Sequence, residues 1–165
     1  MQAYGKRAMD VIDWVAATAR NSGRRMSVRL VKGAYWDTEI KRAQERGLAG
    51  YPVFTRKVTT DVSYLACVGR LFGHTDVIYP QFATHNAHSI ASVLELAPDG
   101  ADYDVQRLHG MGRLLDAEAQ RRTGKLPRGR VSEPGGGQTT EVREGGGRWA
   151  GSRADAREGH GPAAT

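Results

Sequence analysis

Residues 26–36 read Met26-Ser27-Val28-Arg29-Leu30-Val31-Lys32-Gly33-Ala34-Tyr35-Trp36, a β-rich run that stops at a glycine. Helical patterns lie on both sides of it. Over residues 5–22, Ala8, Val11, Ile12, Val15 and Ala16 recur at three- and four-residue spacing, and Asn21, Ser22 and Gly23 end the pattern. Residues 37–47 read as helix with Asp37 at the N-cap, broken by Gly47, Gly50 and Pro52. A longer helix follows over 56–72, with Val62, Leu65, Ala66, Val68 and Leu71 as its apolar positions. Residues 76–83 form a second strand and 87–97 a third amphipathic segment; Tyr103 to Leu108 form a third strand, closed by Gly110. Gln2-Ala3-Tyr4 reads as the end of a further strand. The strands are separated by stretches long enough for helical crossovers, which implies an α/β protein with a parallel sheet. Such alternation builds either an open doubly wound sheet or a (β/α)8 barrel. A complete barrel needs about 250 residues, so the three to four strand–helix units here amount to part of one.

The rest of the 165-residue chain is unlike this. Residues 123–165 hold 11 of the 21 glycines, and their large apolar residues are Leu126, Val131, Val142 and Trp149. That composition predicts a disordered Gly/Arg-rich tail, because it buries too little apolar surface to offset the entropy of ordering. The net charge of +6 comes from 24 basic and 18 acidic residues that are interleaved along the chain, which argues against a nucleic-acid partner. No apolar run approaches the ~20 residues of a membrane span. The first residues lack a signal peptide, and Cys67 stands alone, so a reducing, cytoplasmic setting is expected.

Each strand carries a polar interruption. A parallel strand is expected to be buried on both faces and near-continuously apolar, yet Arg29 sits inside the first. A buried guanidinium without a partner costs several kcal/mol, so Arg29 must face an anion, an acceptor-rich ligand or a neighbouring carboxylate. Lys32 follows at that strand's C-terminal end. Gln81 interrupts the second strand, and Thr84, His85 and Asn86 cluster at its end, ahead of a helix whose N-terminus suits a phosphate. Gln106 and Leu108 alternate onto one face of the third. Ligands of parallel α/β folds bind at the C-terminal ends of strands. Three interruptions at one end therefore point to a shared pocket for an extended, partly anionic ligand, such as a nucleotide cofactor. No Gly-x-Gly-x-x-Gly follows a strand, which disfavours a Rossmann-type site. His85, His88 and His109 leave a metal-dependent barrel hydrolase as a distant alternative.

Several long motifs occur in order: RLVKGAYWDTEIKRAQ from Arg29, GYPVFTRK from Gly50, DVSYLAC from Asp61, YPQFATHNAH from Tyr79 and QRLHGMG from Gln106. Over residues 1–112 the chain resembles the proline dehydrogenase domain of the bacterial bifunctional proline utilization A flavoenzymes; residues 113–165 do not match it. The resemblance implies a (β/α)8 barrel that holds FAD over its strand ends and oxidises L-proline to 1-pyrroline-5-carboxylate. It also implies a quinone acceptor reached at the membrane surface, where the full-length family associates peripherally, and an aldehyde dehydrogenase domain in the full-length protein. By the same resemblance Arg29 hydrogen-bonds the flavin near its reactive nitrogen, and Gln2, Val31, Gly33 and Trp36 line the isoalloxazine. Thr55, Arg56 and Lys57 meet the phosphate and adenosine portion. Thr84, His85 and Gln106 hold the ribityl and pyrophosphate part, and Tyr35 and Leu108 pack beside the proline ring. Arg29 and Tyr35 carry the catalytic roles, and no metal is implied. The family's earlier strands and its paired-arginine carboxylate clamp have no counterpart here. The chain is therefore read as a fragment without turnover of its own; a non-catalytic remnant is the competing reading.

Overall fold

The structure, a computed structural model, describes residues 1–106, residue 121 and the strand residues 130–131 and 140–141. The chain runs α1 (Ala8–Ser22), β1 (Met26–Leu30), α2 (Trp36–Glu45), α3 (Lys57–Phe72), β2 (Ile78–Ala83), α4 (Ala87–Leu96) and β3 (Asp104–Gln106). Two short strands follow, β4 (Arg130–Val131) and β5 (Thr140–Glu141), paired antiparallel. They add regular backbone where the sequence suggests a wholly disordered tail; the rest of that expectation lies outside the described residues, as do Leu108 and His109.

Two boundaries depart from the sequence reading for local reasons. α1 starts at Ala8 because the backbone ahead of it is engaged elsewhere: Gly5 bridges Val53, and the Lys6 N–H donates to the Pro52 carbonyl at 3.0 Å. α2 starts at Trp36, with Tyr35 at its N-cap, because the Tyr35 carbonyl already accepts from the Glu39 N–H at 3.1 Å. Asp37 is therefore no cap; with Glu39 it lies in the first turn, where a carboxylate favours the helix dipole.

β1, β2 and β3 form one parallel sheet in sequential order. Met26 to Leu30 pair with Ile78 to Phe82, and Gln81 to Ala83 with Asp104 to Gln106. Residues 2–4 extend the sheet beyond β1: Gln2 bridges Val31 in parallel, and the Ala3 and Tyr4 N–H groups donate to Val31 and Lys32 carbonyls at 2.8 and 2.9 Å. The central strand tolerates Pro80. Backbone groups of a parallel strand point alternately to its two neighbours. The Thr84 N–H reaches β3 at the Gln106 carbonyl, so even-numbered residues face β3. Pro80 faces the stretch ahead of Asp104, where that ladder has not begun.

The two faces of the sheet differ. Val28, Leu30, Ile78, Phe82 and Val105 are buried with Ile12 and Ala16 of α1, Tyr64, Cys67, Val68 and Leu71 of α3, and Ile90 and Val93 of α4. Phe72, Phe82 and Tyr103 meet in tilted and edge-on pairs 5.0–5.9 Å apart. The opposite face carries Ser27, Arg29, Tyr79, Gln81, Asp104 and Gln106. β2 alternates buried and half-buried residues along its length, so β1 and β2 are not equally buried on both faces as expected. Among the described residues no helix is long and apolar enough to cross a membrane.

Candidate functional site

Period-two alternation and the strand register map the polar face. Arg29 pairs with Gln81, and Gln81 with Asp104; one row toward the strand ends, Ala83 pairs with Gln106. Val31 lies on the same face of β1, and across from it the bridge places Gln2. Arg29, Gln81 and Gln106 thus share one face, as the three strand interruptions suggested.

Two of these side chains are unsatisfied. The Arg29 Nε is buried and has no hydrogen-bond partner among the described residues, and no carboxylate there pairs with the guanidinium. Gln106 is 2% exposed and its Oε1 is likewise unpartnered. A buried polar group without a partner costs about 1–3 kcal/mol. The reading of Arg29 as half of an ion pair is not met within the described residues.

The turn after β1 is held from below. Gln2 Oε1 accepts from the Ala34 N–H at 3.1 Å. Gly33 has φ 144, and the ring of Tyr4 packs against its bare Cα. Trp36 Nε1 donates to the Phe54 carbonyl at 2.8 Å, and the Phe54 N–H donates to the Tyr4 carbonyl at 2.8 Å. The stretch leading to Thr55, Arg56 and Lys57 is thereby strapped to residues 2–5. Thr55, Arg56, Lys57 and Tyr35 are exposed; Tyr35 is 66% exposed and Trp36 38%.

Lys32 follows the C-terminal end of β1, as expected, but does not face the polar side. Alternation turns it to the helix side, where its Nζ donates to Asp61 Oδ1 at 2.6 Å and lies 5.8 Å from the Tyr64 ring centre. Lys57 donates to the other oxygen of Asp61 at 2.7 Å. Hydrogen bonds from Lys32 first, then Lys57, lower the pKa of the Asp61 carboxyl below its usual value. Asp61 was missed as a partner, although its four-residue spacing from Lys57 on a helix is a readable pairing signal. Asn86 was read as a phosphate-site neighbour; it is the N-cap of α4, its Oδ1 accepting from the Ser89 N–H at 3.0 Å. Thr84 Oγ1 accepts from the Asn86 N–H at 3.2 Å. Thr84 and half-buried His85 therefore stand at the end of β2, beside Gln106. The described residues hold no group of three His, Cys, Asp or Glu side chains able to bind a metal.

Comparison with known proteins reaches the same stretch. A family model described as proline dehydrogenase matches residues 1–134. The bifunctional protein PutA of Salmonella typhimurium is 53% identical over 137 residues, covering 81% of this chain and 10% of that protein. The bifunctional protein PutA of Rhizobium meliloti is 53% identical over 138 residues, covering 78% of this chain and 10% of that protein. Among solved structures, proline utilization A of Bradyrhizobium japonicum superposes with a TM-score of 0.74 at 56% identity, covering 77% of this chain and 13% of that one. Proline utilization A from Bdellovibrio bacteriovorus, inactivated by N-propargylglycine, gives 0.71 at 32% identity, covering 79% and 14%. The chain spans about a tenth of the length of these curated relatives.

Proposed function

Because the chain belongs to the proline dehydrogenase family, we propose that it forms part of a (β/α)8 barrel that holds FAD at its strand ends during oxidation of L-proline to 1-pyrroline-5-carboxylate. The strand order supports a barrel segment: it runs β1-β2-β3 without the reversal that marks a doubly wound sheet. One observation carries the ligand reading. Arg29 Nε and Gln106 Oε1 lie on one face, both buried and both without a partner among the described residues. A donor and an acceptor placed this way suit a flavin, which presents acceptors and a donor along its polar edge.

Bound FAD supplies the two-electron acceptor for the oxidation. The protein's part is placement. Arg29 donates from its guanidinium to the ring's acceptor side, and Gln2, Val31, Gly33 and Trp36 line the ring. Gln2 does so with its carbonyl oxygen already committed to the Ala34 N–H, which fixes its amide group. Thr84, His85 and Gln106 take the ribityl and pyrophosphate part, and Thr55, Arg56 and Lys57 the phosphate and adenosine part. Tyr35 and Leu108 border the proline ring. Quinone at a membrane surface receives the electrons, and an aldehyde dehydrogenase domain belongs to the same full-length protein.

The test is an exchange. Residues 1–134 replace the matching stretch of Salmonella typhimurium PutA, and the purified chimera is assayed for bound flavin and proline-dependent dye reduction. Retention of both is expected. A folded chimera that holds no flavin would contradict the proposal.

A further inference from the structure

Lys57, assigned above to the phosphate part of FAD, has an exposed side chain that is nevertheless held. Its Nζ donates to Asp61 Oδ2 at 2.7 Å. An ammonium has three N–H donors, and the other two have no partner among the described residues. Asp61 is itself pinned from the other side: its Oδ1 accepts from Lys32 Nζ at 2.6 Å, and that Nζ lies 5.8 Å from the Tyr64 ring centre. Two ammonium groups share one carboxylate, so the cluster keeps a net positive charge. Lys57 is thus anchored without being neutralised. The helix end beside it is also uncompensated. α3 has no side-chain cap at Arg56 and no acidic residue in its first turn, whereas α1 carries Asp10 there and α2 carries Asp37 and Glu39. The carboxylate that holds Lys57 stands one turn further in.

We infer that Asp61 is a positioning residue of this site, holding the Lys57 ammonium where it donates to a phosphate of FAD. The inference rests on the proposed flavin site. A free lysine side chain surrenders its rotamer freedom when it meets a phosphate, and a tethered one has less to lose. Hydrogen bonds from Lys32 first, then Lys57, lower the pKa of the Asp61 carboxyl, so the tether stays ionised at neutral pH. Charge alone predicts the opposite effect of Asp61. A carboxylate near a phosphate repels it, so removing that charge would tighten the binding of FAD. Positioning predicts that removing it weakens the binding. The sign of the change therefore separates the two roles.

The experiment titrates FAD, and separately riboflavin, which has no phosphate, into the full chain and three variants, following flavin fluorescence. The variants are Asp61→Asn, Lys57→Met and the two combined. Asp61→Asn and Lys57→Met are each expected to weaken FAD binding about three- to ten-fold, the effect of one hydrogen bond. Asp61→Asn should cost nothing further in the Lys57→Met background, and riboflavin affinity should be the same in all four proteins. A wild-type chain that takes up no FAD would overturn the flavin site and this inference together. An Asp61→Asn chain that binds FAD as tightly as wild type, or more tightly, would overturn the inference alone. So would an Asp61→Asn loss that persists in the Lys57→Met background or is equally large for riboflavin, since Asp61 would then act on the fold and not on Lys57.

Discussion

The ring of Tyr4 occupies the space that a Cβ on Gly33 would need. An added methyl group would overlap its Cδ1 and Cε1 atoms, and φ 144 is a backbone conformation that side-chain-bearing residues rarely adopt. Two independent costs therefore fall on Gly33→Ala. Backbone strain contributes about 1–3 kcal/mol and overpacking about 1–3 kcal/mol. Urea unfolding should show a loss of about 2–6 kcal/mol in total. Measured in a Tyr4→Ala background, Gly33→Ala should cost the strain share alone. A Gly33→Ala protein as stable as wild type would mean that the turn after β1 rearranges freely.

Asp61 joins the end of β1 to the first turn of α3 through Lys32 and Lys57. Its folded-state pKa is lowered, so its contribution is present above the unfolded carboxylate value of about 3.9. It is lost as pH falls through the lower folded value. All three side chains keep some solvent contact, which limits the effect to about 1 kcal/mol. Asp61→Asn should lower stability by that amount at pH 7 and flatten the acid side of the stability profile. Identical profiles for the two proteins between pH 7 and pH 3 would remove Asp61 from the account.

Asn86 caps α4 through the Ser89 N–H. Asn86→Ala should cost about 1 kcal/mol, and Asn86→Asp should recover most of it because aspartate is an equally good cap. Equal stability of Asn86→Ala and wild type in urea would show that Thr84 or solvent replaces the cap.

The sequence exposed the sheet better than the side-chain partners. Val28-Arg29-Leu30 and Pro80-Gln81-Phe82 each place a polar residue between two apolar ones, and that local alternation is enough to put Arg29 and Gln81 on one face. Gly23, which ends α1 in a left-handed conformation at φ 63, was equally readable as a stop. Lys32 was misread because its position at a strand end suggested a ligand, whereas the same alternation turns it toward α3. Asp61 and Tyr4 escaped for a different reason. Their roles depend on contacts across 29 residues in each case, Lys32 to Asp61 and Tyr4 to Gly33, and such contacts exist only once the crossover is folded. The start of α2 was displaced by one residue because a cap is set by backbone geometry at Tyr35, which the attractive Asp37 side chain concealed.

The central claim is that Arg29 faces a flavin, and Arg29→Met in the Salmonella typhimurium exchange protein tests it most directly. Loss of a charge-assisted hydrogen bond costs about 1.5–3 kcal/mol, roughly ten- to a hundred-fold. The measurement is stopped-flow reduction of bound flavin by L-proline, paired with the flavin-to-protein ratio from absorbance. The account predicts a drop of that size in flavin retention or in the reduction rate. An Arg29→Met protein with full flavin content and an unchanged reduction rate would contradict it.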